Sequence, residues 1–560
     1  MRLVAALLGW RLFVGAKVLR QRDARLAVVI AFGRVCAAVM AGEYVFFLRS
    51  FRAVATMGVA GPPLTLYALE AFFVLILVIG ILSAVVTGST IFFRLTENRL
   101  LLTTPVPLRA IFLLRSLETF GLTSWAFVVL ATPALVALGV HYQRAAGFYV
   151  VTALLLGAFL VLTGALGTLL TMTVGRLLGH FRSRLGIVGL TVTLLAAGGV
   201  LVGQAVVPTR ADFNTMFEPG LLNGTTIALH FVEDKFAGWP SHPFAAAVFG
   251  LATGQGSQPD RALLLSLLLP LAAAAVGYGA GGALFRGLIW SAAEGVLLAR
   301  PEGPAAPPAG WRRFPLLLRG PVGALLEKEL VTLVRSPQDL GRGGFFAFLL
   351  ALYTLLLLRV PVPDVAGTED VTARLVAFSL LATGYFLTTV ALRFVFPALS
   401  LEGRTAWILF VSPIRLVALF WARLGLYSLA GFLGLGAITL AGGVRLGLSP
   451  LGVGLVAALL ALLSLTIMTV ALALGVCWPD FRGRSAESLA TSAGGLLTTA
   501  VCLAYVAASG WLGYRLVLAL LTGAPPGHLA WPLVAAVALS LAVAAGPLWL
   551  AGRRARFDVR

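Results

Sequence analysis

Two short charged loops hold side chains able to make ionic contacts in a chain that is otherwise largely apolar. Residues 94–119 read RLTENRLLLTTPVPLRAIFLLRSLET, and residues 400–424 read SLEGRTAWILFVSPIRLVALFWARL. Glu97 and Arg99 of the first answer Glu402, Gly403 and Arg404 of the second, while Pro107 and Arg109 answer Pro413 and Arg415. The chemistry these types offer is ionic recognition. An ionised side chain near the bilayer centre costs about 2.5 to 3.5 kcal/mol on the insertion scale, so the loops belong at the cytoplasmic face, within reach of a soluble partner. A polar turn stiffened by Pro105 and Pro107, or by Pro413, can pass force from that partner into the apolar runs on both sides. The plainer alternative is that the Glu and Arg of each loop pair with one another at the headgroups, worth under about 1 kcal/mol if exposed.

Other chemistries find little support. Lysine occurs only as Lys17, Lys235 and Lys328, none after a glycine, so the chain has no GxxxxGK[ST] phosphate loop. It cannot by itself be an ATPase of that type. Cys36, Cys477 and Cys502 form no CxxC pair, and His141, His180, His230, His242 and His528 form no HExxH or close ligand spacing. Neither a thiolate nor an imidazole metal centre is expected. Arg34 and Glu43 fall within the first apolar run, about half a turn from sharing a helix face, whereas Glu118 can meet Arg115 one turn earlier.

The elements that must position these loops are membrane helices. With 59% hydrophobic residues, 11% charged residues and a mean hydropathy of +0.98, the chain is far from the composition of a water-soluble globule. The net charge of +20 sits in short clusters between apolar runs, which is the pattern of membrane topology and not of a nucleic-acid surface. A span needs about 20 apolar residues, and that window yields twelve. The first six lie near 26–48, 66–93, 117–140, 146–174, 185–207 and 262–288, the second six near 343–360, 374–396, 416–443, 449–477, 488–512 and 529–551. Most Lys and Arg fall on the inner side when both termini are cytoplasmic. The N-terminal apolar run is interrupted by Arg11 and reads as retained, not as a cleaved leader.

Each set of six opens similarly. Leu3, Leu7, Trp10, Val14 and Val18 recur at helical spacing, and before the seventh span a Leu326, Leu330, Leu333, Val334 stripe runs against Glu327, Lys328, Glu329 and Arg335. Both stretches are expected as amphipathic elbow helices at the interface. Phe181 and Arg182 after the fourth span recur as Phe481 and Arg482 after the tenth, 300 positions on. Three landmarks in one order indicate an internal duplication, and an even number of spans gives both copies the same orientation. The expected fold is an all-α integral membrane protein of about twelve transmembrane helices in two parallel six-helix repeats. The first half is 1–290 with an outer loop at 208–261, the Pro-rich cytoplasmic linker is 291–322, and the second half is 323–560.

The order of elbow, two spans, charged E-x-R loop with a following proline, then four spans resembles the ATP-binding-cassette (ABC) type-2 transport permeases in a fused, exporter-like form. Glu402-Gly403, Trp407 and Ser412-Pro413 resemble the glutamate-glycine, tryptophan and small-residue-proline pattern of that loop, and Pro479-Asp480-Phe481 resembles the Pro-x-Phe signature after the fourth span of a half. The first half departs from it at Asn98, Leu102 and Gly179-His180-Phe181. The resemblance implies a permease subunit whose loops dock a separate cytoplasmic nucleotide-binding ATPase, in two copies, which binds ATP and Mg. This chain then carries no cofactor or catalytic residue of its own, sits multi-pass in the inner (plasma) membrane among lipid, and exports substrate across or within the bilayer. Two rivals come from other classes. An ion-gradient-driven secondary transporter needs buried carboxylates at the midplane, and a transferase acting on a lipid-linked substrate needs clustered Asp, Glu or His at the surface.

Overall fold

A computed structural model of the chain describes residues 23–56, 58, 61–93, 101–180, 198–199, 202–203, 224–254, 259–298, 323, 327–328, 348, 350–355, 369–405, 411, 416–481, 489–490 and 492–557. Every regular element among the described residues is helical. The reason is the solvent: in hydrocarbon each backbone N–H and C=O must be satisfied within the chain, and a helix does this segment by segment. Buried hydroxyls follow the same rule. Thr163, Thr168 and Thr171 each donate to the carbonyl four residues earlier, Phe159, Gly164 and Gly167, at 2.7 to 2.9 Å.

The chain divides into two compact units, Met1–Ala309 with Val334–Val360, and Gly310–Leu333 with Pro361–Arg560. In the first, α1 (Asp23–Ala55), α2 (Gly61–Phe93), α3 (Leu108–His141), α4 (Ala146–His180) and α7 (Pro259–Leu298) are long, while α5 (Gly224–Phe236) and α6 (His242–Thr253) are short. α2 packs against α3, α4 and α6. Its Phe73 meets Phe159 of α4 edge to face at 5.0 Å, and Phe159 meets Phe244 of α6 at 5.1 Å. Glycine lets the backbones close: a Cβ at Gly167 of α4 would collide with Ala84 of α2.

In the second unit, α8 (Glu369–Val390) runs into a π-helical turn, Ala391–Val395, and then the 3-10 turn Ser400–Thr405. α9 (Leu416–Gly431) passes through a second π turn, Phe432–Gly436, into α10 (Ala437–Arg445). α11 (Pro450–Cys477), α12 (Ala493–Leu521) and α13 (Pro526–Phe557) complete the unit. α11 and α12 start on serine caps: the side chains of Ser449 and Ser492 accept from the N–H of Gly452 and Gly495. α8 packs on α12, and α11 packs on both α12 and α13.

Nine of the described helices are long and apolar enough to cross a membrane. Each matches one expected span, and together they mark a membrane protein. Of the other three expectations, 26–48 falls within α1, and 185–207 and 343–360 lie largely outside the described residues. Two boundaries differ. The span expected at 488–512 continues to Leu521, which leaves four residues before α13. Arg515 does not end the helix because its guanidinium lies over the Trp511 ring, 5.9 Å from the centroid, while the apolar run continues. The segment 208–261, read from sequence as a loop, contains α5 and α6, which bury Val232, Phe236, Phe244, Val248 and Phe249 in the core of the first unit.

Candidate functional site

The charged turn of the second unit is built by an interrupted helix. After Val390 the backbone widens into the π turn, Phe396 is buried, and Pro397 allows no further helical hydrogen bond from its nitrogen. The chain then tightens into Ser400–Thr405, where Gly403 has φ 54° and ψ −128°. That conformation is closed to residues with a Cβ, which explains glycine between the two charges.

Glu402 is the hub of this turn. Its carboxylate accepts from Lys328 Nζ at 2.5 Å through Oε2 and from Arg423 Nη2 at 3.2 Å through Oε1. The Glu402 side chain is 8% exposed and Arg423 is 3% exposed, whereas Lys328 is 51% exposed. One anion therefore ties the stretch before the seventh expected span to α9, the helix after the turn. Either cation alone matches the charge of the carboxylate, and the hydrogen bond lost with one of them costs about 1.5 to 3 kcal/mol.

A second tie joins the turn to the end of α11. The Asp480 N–H donates to Ser400 Oγ at 3.1 Å, and the Phe481 carbonyl lies 4.0 Å from where a Cβ on Gly403 would stand. Higher up, a Cβ on Gly475 of α11 would collide with the Phe396 carbonyl, and one on Gly494 of α12 would lie 3.2 Å from the Phe396 ring. The glutamate-glycine turn and the Pro479-Asp480-Phe481 loop are thus one structure. Its outward surface exposes Leu401, Trp478, Pro479, Asp480 and Phe481.

The corresponding turn of the first unit is partly described. Leu101 to Thr104 close a turn through the Thr104 N–H and hydroxyl, both donating to the Leu101 carbonyl. Pro107 caps α3 with φ −64° and ψ 137°, and Arg109 is exposed. Beneath it, Phe92, Ile111, Phe112, Met172 and Phe285 form a small core. Arg115, fully buried, donates to Glu118 at 2.6 Å, as the one-turn spacing predicts.

Several sequence candidates lie outside the described residues: Glu97, Arg99, Phe181, Arg182, Glu329, Arg335, Trp407, Pro413, Arg415 and Arg482. Glu327 lies in a described helical stretch, and Arg404 is described only in its backbone. The sequence reading missed Lys328 and Arg423 as partners of Glu402. An arginine inside the apolar run of α9 was the available signal. It also missed Glu70, fully buried in α2 and bonded to His242 of α6 at 2.6 Å, because Glu70 and His242 are 172 residues apart. Among the described residues no group of three His, Cys, Asp or Glu side chains could hold a metal ion.

A family model described as "Putative ATP-binding cassette" matches residues 20–556. No curated protein and no solved structure matches the chain.

Proposed function

Because the chain belongs to this ATP-binding-cassette family over nearly its whole length, we propose that it is the membrane-spanning permease subunit of an exporter driven by separate cytoplasmic ATPase subunits. The family description names the cassette, yet the three lysines leave no phosphate-cradling loop in this sequence, so ATP and Mg belong to the partner. The observation that carries the reading is the Glu402 junction. Lys328, the 400–405 turn, Arg423 and the Asp480 loop are bonded into one block at a single end of the spans. A push on the exposed Leu401, Trp478 and Phe481 is thereby delivered to α8, α9 and α11 together. In this reading both termini and both turns face the cytoplasm of a plasma (inner) membrane, two ATPase copies dock on one chain, and the halves alternate access for substrate.

The test is a gentle solubilisation followed by mass spectrometry and an ATPase assay. A co-purifying chain with a Walker motif is expected, and the paired exposed substitutions Trp478→Ala and Phe481→Ala should lower its stimulated ATP hydrolysis at least tenfold without loss of the folded permease. Transport by the purified chain alone, driven by an ion gradient and indifferent to ATP, would overturn the proposal.

A further inference from the structure

A second cluster of ionisable groups lies at the opposite end of α2 from the 94–107 loop. Glu70 stands two and a half turns into α2, is completely buried, and accepts or shares a proton with His242 Nδ1 at 2.6 Å. Its other oxygen, Oε2, is buried with no hydrogen-bond partner among the described residues, and so is Ser241 Oγ beside His242. His242 opens α6 and is 21% exposed, which gives the buried pair a route to water.

Of the helices packed on α2, α1 carries Glu43, Arg49 and Arg52, and α3 ends on His141, on which Arg52 acts. On α5, Glu233 acts on both members of the pair and takes a 3.7 Å contact from His230, while Lys235 donates to the Tyr67 hydroxyl at 3.0 Å and lies 5.0 Å from its ring centroid. α7 places Asp260 and Arg261 at its start, beyond the far end of α6, and carries no titratable side chain from 262 to 277. The titratable side chain nearest the start of α4 is Tyr149, and Arg144 just before it bonds to the Ala252 carbonyl at the same far end of α6.

We propose that Glu70 and His242 form a one-proton binding site that latches the two-helix segment 224–253 onto α2. With one proton between them, the pair makes a strong buried hydrogen bond with no uncompensated charge. Without it, Glu70 remains a buried anion facing a neutral imidazole, and the segment loosens to bring water to the carboxylate. Burial alone works against charge on His242, but the hydrogen bond to Glu70 and the negative charges of Glu70 and Glu233 outweigh it and hold its pKa above the ordinary 6.5. The sign follows: a raised pKa stabilises the closed segment below about 6.5, and that stabilisation is lost as pH climbs through the raised value.

The experiment is hydrogen exchange of the intact protein in lipid nanodiscs from pH 6 to pH 9. The exchange rate of peptide 242–253 is divided by that of the helix peptide 450–477 in the same molecule, which cancels intrinsic catalysis. This ratio should rise at least tenfold across the range in the wild type and stay flat in Glu70→Gln, which keeps an acceptor for His242 but cannot ionise. Glu70→Met, which replaces the carboxylate by an apolar side chain of similar length, should also be flat and serves if Glu70→Gln does not fold. A wild-type ratio independent of pH, or an equal rise in the variants, overturns the latch whatever the result for ATPase docking.

Discussion

At the scale of single residues, Glu402 holds together parts of the chain that are far apart in sequence. Its carboxylate reaches Lys328 and Arg423, 74 and 21 residues away in sequence. Arg423→Leu should destabilise the second unit by about 1.5 to 3 kcal/mol, because it removes the more deeply buried of the two cations that Glu402 accepts from. Adding Glu402→Gln should recover much of that loss, and denaturant unfolding in detergent would show it. Equal losses in the single and double variants would mean the pair is not coupled. Sequence made the charged turn visible because charge is rare in this chain, but it could not reveal the partners. Ionic partners across helices depend on which faces meet, and that is decided by packing. The Arg115 to Glu118 pair was legible because both members share one helix at a fixed spacing.

At the scale of elements, hydrophobic length alone located nine helices, since a bilayer demands runs of a set size. It did not locate α5 and α6, which are only 13 and 12 residues long and reach their apolar surroundings by packing into a unit and not by spanning. Nor could it find the two π turns, Ala391–Val395 and Phe432–Gly436, which hold one residue more than an α-helical turn and leave no compositional trace. Two glycines nearby make sharp tests. Gly403→Ala forces a Cβ into a backbone conformation that costs about 1 to 3 kcal/mol. Gly475→Ala must push α11 away from the Phe396 carbonyl, at about 1 to 3 kcal/mol. Both should lower the melting temperature of the solubilised protein, and Gly475→Ala should also loosen the Asp480 to Ser400 contact, read as faster exchange at the Asp480 amide.

At the scale of the whole molecule, the membrane character was written plainly in composition, whereas sidedness rests on charge bias and can be measured. Gly238→Cys, on an exposed site with open space around its Cβ, should react with an impermeant maleimide on intact cells carrying Cys36→Ser. Arg109→Cys should react only after permeabilisation. The opposite pattern would invert the topology. Cys477 and Cys502 are buried and should stay silent in both. The sequence divides most naturally at its proline-rich stretch, but the packed units are interlaced along the chain: it changes unit after Ala309, again after Leu333 and again after Val360. Phe348 and Leu352, late in the chain, complete the core of the first unit. A gene cut in the proline-rich stretch would therefore yield an N-terminal fragment missing part of its own interior. Functional complementation from two fragments should fail for a cut near residue 306, since the missing residues would have to be donated in trans by the other polypeptide.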